Sequence, residues 1–214
     1  MGITAARRLV VTPTGTLLAA ALFLLVLAAS ATGAVAATNG GGGLSCQGKS
    51  ERPFLPWLDP AQYTLAPGGD FERDGGWQLK SGARLVNGNE SFQVHGKGDR
   101  RSLALPAGSS ALSPSICVGL GDPTVRLFVS GGRPGSLLKL EALVPTAAGT
   151  LTQPVGVFVP GREWSPGIPL ALLGNITGLT ALRGTTTTLR LRLTVLGAGE
   201  FRVDDVYVDP WKIH

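Results

Sequence analysis

Pro67-Gly68-Gly69-Asp70-Phe71-Glu72, soon followed by Gly76-Trp77-Gln78-Leu79, has a counterpart near the C-terminus in Phe201-Arg202-Val203-Asp204-Asp205-Val206-Tyr207-Val208-Asp209-Pro210. The first stretch reads as the opening strand of a β-sandwich and the second as its closing strand, with acidic residues of both placed to meet around a cation. In the closing strand Phe201 and Val203 share one parity, whereas Val206 and Val208 share the other. Side chains alternate strictly along a strand, so a bulge at Asp204-Asp205 is expected to switch the buried face. An aspartate turned inward there needs a partner, because an isolated buried carboxylate is prohibitive. Asp204 keeps the parity of Val206 and Val208 and is the first choice for that position.

Between these ends Gly and Pro punctuate the chain every eight to twelve residues, the spacing of a sandwich or barrel. Strands are expected at 77–80, 83–86, 91–95, 102–105, 115–118, 124–130, 137–144, 151–159, 187–196 and 200–208. The clearest is the stretch where Leu189, Leu191, Leu193 and Val195 alternate with Arg190, Arg192 and Thr194, a strand with one dry and one wet face. Val125, Leu127 and Val129 alternate in the same way. A helical turn fits 170–182, although Gly174 and Gly178 oppose a long helix. About 8–10 antiparallel strands in one domain, residues 67–214, give an all-β jelly-roll sandwich. The preceding segment, 46–66, contains Arg52-Pro53-Phe54-Leu55-Pro56-Trp57-Leu58-Asp59-Pro60. Its prolines exclude a helix, so an extended arm is expected, held down by Phe54, Trp57 and Tyr63.

The N-terminus reads differently. Arg7-Arg8, an apolar run from Leu17 to Ala29 and the small residues Ala34-Val35-Ala36-Ala37 follow the order of a secretory signal peptide over residues 1–37. The alternative is an uncleaved membrane anchor, since 17–37 approaches the length of a bilayer span. A glycine-rich linker, 38–45, follows. The formal charge of +5 includes Arg7 and Arg8, and the remaining Lys and Arg are scattered rather than clustered, which argues against nucleic acid. Cys46 and Cys117 are the only cysteines. After export they are expected to form one disulfide, closing a loop of about 70 residues and contributing roughly 4 kcal/mol by chain entropy.

Gly68-Gly69-Asp70-Phe71-Glu72, Gly76-Trp77 and the terminal Val203-Asp204-Asp205-Val206-Tyr207-Val208 resemble the carbohydrate-binding-module type of galactose-binding-like jelly roll. The Phe54-to-Pro60 arm, the Gly88-Asn89-Glu90-Ser91 turn and the Asp204-to-Pro210 end also resemble a group of secreted proteins from actinobacteria. The resemblance to the binding modules implies a structural Ca2+ between Glu72 and Asp204 or Asp205, with the backbone near Gly69 and Asp70 completing an oxygen shell. The competing arrangement pairs these acids with Arg73, Arg202 or backbone amides, without a metal.

Catalysis is not expected. His95 is the only internal histidine, and no nucleophile elbow or His-Glu-x-x-His pattern occurs. Two functions remain. The first is a secreted module binding extracellular or cell-wall glycan, in which exposed aromatic faces would carry sugar rings. Trp164, Trp57 and Trp211 are its ligand candidates, while Trp77 belongs to the core. The second is a structural or protein-interaction domain of the cell envelope, for which the sandwich is only a scaffold.

Overall fold

The computed structural model describes residues 46, 48–119, 123–172 and 186–209. The signal peptide, the linker, Trp211 and most of the 170–182 stretch therefore lie outside the described residues. Among those described, the strands in chain order are β1 (Ser50–Glu51), β2 (Tyr63–Leu65), β3 (Gln78–Lys80), β4 (Arg84–Asn87) and β5 (Arg101–Leu105). They continue with β6 (Ser110–Leu112), β7 (Ile116–Gly119), β8 (Thr124–Gly131), β9 (Leu137–Thr146) and β10 (Gly149–Phe158). The last are β11 (Gly161–Pro166), β12 (Leu170–Ala171), β13 (Thr186–Leu196) and β14 (Phe201–Asp209).

The strands form a jelly-roll β-sandwich of two antiparallel sheets. One sheet runs β10-β9-β13, and β13 then pairs with β7 along its first half and β6 along its second, with β3 beyond β6. The other is built around β14 and β8. On the far side of β14 from β8, β5 pairs with Phe201 to Val203 and β2 with Tyr207 and Val208. The alternation in β13 is present as expected: Leu189, Leu191, Leu193 and Val195 are buried. They meet Leu103, Leu105, Val125, Leu127, Phe201, Val203, Val206 and Val208 from the facing sheet in one apolar core, the main source of stability in such a fold. The expected bulge is also present. The β14–β8 register shifts between Asp204 and Tyr207, and Asp205 adopts a φ of 46°, a left-handed conformation that aspartate tolerates better than most residues.

Four expectations need correction, the last of them in β8. Residues 67–72 are not a strand but a tight loop that fills the gap between β2 and β5 on the edge of β14. Ala66 N–H donates to Val206 O (2.8 Å) and Val206 N–H to Gly69 O (3.0 Å). A Cβ on Gly69 would stand 2.7 Å from Val206 O, so the double glycine serves close backbone approach rather than strand pairing. Residues 91–95 also form a loop, discussed below. The arm is not wholly extended, because Leu55–Trp57 makes one 3-10 turn. Pro56 sits in its first turn, where no N–H is required.

The arm does more than lie across the domain. Its β1 and β2 extend the β14 sheet, and Cys46 is disulfide-bonded to Cys117 on β7 of the opposite sheet, with Cα atoms 5.2 Å apart. Phe54 and Tyr63 pack with Phe128 and Tyr207 into a second buried cluster, on the outer face of the β14 sheet. The arm is fixed there by Asp59, whose carboxylate accepts from Arg126 (2.6 Å) and from the Tyr63 hydroxyl (2.8 Å). Arg126 also lies over the Phe54 ring at 4.3 Å. β8 is thus buried on both faces over almost all its length, where its sequence suggested one wet face.

Candidate functional site

Beside the arm, the same outer face is covered by the loop from Gly88 to Arg100, between β4 and β5. Four carboxylates accept its backbone amides. Asp204 Oδ2 accepts from Glu90 N–H (2.9 Å) and Asp205 Oδ2 from His95 N–H (3.1 Å). Glu72 Oε1 accepts from both Arg100 and Arg101 N–H (2.7 Å each). Glu90, itself buried, accepts from Phe92 and Val94 N–H. A loop without regular pairing leaves its amides unpaired, and carboxylates are strong acceptors for them.

The cost of this arrangement falls on Asp204 and Asp205, which are 0 % and 1 % exposed. Burial, reinforced by the charge of Asp205, pushes the Asp204 carboxyl up to about 9. Burial likewise raises Asp205 to about 7, against the stabilising hydrogen bond from His95 N–H. Asp204 has both oxygens occupied, since Oδ1 accepts from Asp205 N–H (3.0 Å). Asp205 Oδ1 has no hydrogen-bond partner.

The positions expected to hold calcium are therefore not equivalent. Both oxygens of Asp204 and Oε1 of Glu72 already accept from backbone N–H donors, whereas Asp205 keeps an oxygen without a hydrogen-bond partner. Asp205 belongs to a different group, with His95 and Asp99, whose potential ligand atoms all lie within 4.8 Å of one another. His95 Nδ1 and Asp99 Oδ2 are 2.8 Å apart. Burial disfavours protonation of His95, but its bond to Asp99 and the charges of Asp205, Asp99 and Asp70 outweigh this and raise its pKa. Asp70 is thus near enough to act on the group electrostatically. Asp70 and Asp205 are among the residues that the resemblance implies for a cation, whereas His95 and Asp99 are not. The four-residue spacing in His95-Gly96-Lys97-Gly98-Asp99 was the available signal. Nothing in Gly88-Asn89-Glu90-Ser91 marks Glu90 as buried.

Next to this group an open groove of about 580 Å3 is lined by Asn87, Asn89, Glu90, Gln93, Asp99 and Arg100 among others. Its wall is rich in amides and charges, and the buried Asn89 Oδ1 has no partner. Phe92, between lining residues Ser91 and Gln93, is 46 % exposed and meets Trp57 edge-on at 4.9 Å. Trp57 and Trp164 are both partly buried against the outer aromatic cluster. Trp164 stands on β11. Trp77 is in the inter-sheet core, 8 % exposed, with its Nε1–H donating to Pro67 O (3.0 Å).

The sequence matches no protein-family model and no curated protein sequence. Solved structures of similar fold exist. The CBM22-1–GH10 modules of a Clostridium thermocellum endo-1,4-beta-D-xylanase, complexed with xylohexaose, are 18 % identical with a TM-score of 0.47. That alignment covers 66 % of this chain and 28 % of the xylanase chain. The CBM22-1 xylan-binding domain of Paenibacillus barcinonensis Xyn10C is 15 % identical at a TM-score of 0.44, over 68 % of this chain and 94 % of that one. A carbohydrate-binding module of Cellvibrio mixtus lichenase 5A, in complex with cellotriose, is 12 % identical at 0.42, over 68 % and 95 %. At such identities the likeness is one of fold.

Proposed function

We propose that the protein is an exported, non-catalytic module that binds extracellular or cell-wall glycan in the groove beside the Gly88–Arg100 loop. The observation that carries the reading is the groove itself. Asn87, Asn89, Gln93 and Arg100 offer donors and acceptors side by side, the chemistry that hydroxyl-rich ligands require. Phe92, between the lining residues Ser91 and Gln93, is partly exposed and packs on Trp57, an aromatic ring close in sequence to the groove wall. The disulfide accords with an oxidising compartment. Trp164 and Trp211 stay secondary ligand candidates, Trp164 because it flanks the same outer aromatic cluster.

The test is retention of the purified chain on insoluble polysaccharides and on cell wall. Wild-type protein is expected to be retained, with Phe92→Ala and Gln93→Ala each weakening binding about tenfold, equivalent to roughly 1.4 kcal/mol. Loss in Trp164→Ala with no change in the two groove variants would move the site to β11. Failure to bind any matrix would overturn the glycan reading.

A second reading, a protein partner of the cell envelope, is favoured by one feature. β10 pairs with β9 along one edge, and no described strand pairs with its other edge. It also exposes Leu151 and Val157. Free strand edges accept a strand from another chain, although the register shift at Pro154–Gly156 blunts this one.

A further inference from the structure

We propose that His95, Asp99 and Asp205 form a binding site for a divalent transition-metal ion of the Zn2+ type, distinct from an all-oxygen calcium shell. Geometry supplies three converging ligand atoms within 4.8 Å of one another. Small side-chain rotations bring that span onto an ion about 2 Å from each ligand. In the metal-bound state the ion replaces the His95–Asp99 contact, because both groups turn their lone pairs to it.

The donor set decides the class of ion. An imidazole nitrogen beside two carboxylates suits Zn2+ and its neighbours, whereas Ca2+ and Mg2+ take oxygen ligands. Asp204, which would have supplied further oxygens, has both of its own on backbone amides, and Glu72 has Oε1 on two more.

An independent observation points to the same place. Asp205 is 1 % exposed and its Oδ1 has no hydrogen-bond partner. A buried carboxylate oxygen without a partner is costly, and a cation held by that residue removes the cost. Asp205 Oδ2 meanwhile accepts from His95 N–H at 3.1 Å, which fixes the backbone of one ligand against the side chain of another. The His95 and Asp99 side chains are 31 % and 14 % exposed, so the ion has a path in and room for water as its remaining ligand.

The site stands independently of the sugar reading, and its test does not use glycan. The full chain is stripped with a chelator and dialysed, then titrated separately with Zn2+, Ca2+ and Co2+ while melting and visible absorption are followed. Zn2+ is expected to raise Tm by mass action, and Co2+ to develop the ligand-field bands of a nitrogen- and oxygen-ligated site. His95→Gln and Asp99→Asn, both near-isosteric changes at partly exposed positions, are expected to melt like the metal-free wild type. Each should weaken Zn2+ binding by more than the 10–100-fold typical of losing an outer-shell partner. No response to Zn2+, a Zn2+ response that survives His95→Gln, or a rise in Tm with Ca2+ alone would overturn the proposal.

Discussion

The two faces of the β14 sheet are buried by different chemistry. The inner face meets the β13 sheet through an apolar core with leucine, valine and phenylalanine at its centre. The outer face is covered by the arm and the Gly88–Arg100 loop, and under them lie stacked aromatics together with Arg126, Glu90, Asp204 and Asp205. A sandwich needs only the inner burial to fold. The outer layer is irregular backbone, which brings amides that must be satisfied, and the buried carboxylates satisfy them. The inner face therefore makes the fold and the outer face makes the site.

That contrast can be broken at its strongest point first. Phe201 is fully buried in the inner core and its ring occupies the space a Cβ on Gly132 would need, 2.5 Å from Phe201 Cζ. Phe201→Ala is expected to cost about 3–5 kcal/mol in chemical denaturation, in one cooperative transition. Phe54→Ala removes an equally buried ring from the outer layer. Its loss is expected to fall at or below about 3 kcal/mol, because the arm can lift while the two sheets stay packed. Equal losses with unchanged cooperativity would show the layers to be one unit.

A smaller effect sharpens the polar half of the comparison. Glu72→Ala strips the acceptor from Arg100 and Arg101 N–H, which lie toward the edge of the loop. The expected cost is about 1–2 kcal/mol, while Glu72→Gln, which keeps a carbonyl acceptor, should lose less.

The smallest effect lies on the wet face of the other sheet. Glu141 is bonded by Arg192 and Lys139, each at 2.9 Å. Burial works against its ionised form, but these two cations outweigh it and hold the carboxyl below its usual range. A depressed carboxylate lends stability that is complete above the unfolded pKa, near 4.5, and is lost as pH falls through the folded value. Glu141→Gln should flatten the acid limb of the Tm–pH curve by an amount equivalent to less than about 1 kcal/mol.

The inner face was legible in the sequence, because period-two alternation in Leu189 to Val195 and the parity switch around Asp204-Asp205 are local patterns that burial alone sets. The outer face was not. Arg126 and Phe128 occupy positions that read as solvent-facing, and only contact with an arm some 70 residues earlier buries them. The double glycine at Gly68-Gly69 looked like part of a strand, since its purpose depends on Val206, far along the chain. The parity switch called for a partner to an inward-turned aspartate, and Asp204 and Asp205 are both buried. Their partners proved to be the amides of a loop with no periodicity of its own, and that loop holds His95 and Asp99.

Carboxylates of β14 and Glu72 hold the Gly88–Arg100 loop as a structured layer, and amide hydrogen exchange can read each of its N–H groups separately. The Glu90, His95, Arg100 and Arg101 amides are expected to exchange far more slowly than those at the exposed tip, Lys97 and Gly98, approaching the strand amides in protection. Uniformly fast exchange across the whole loop would contradict it.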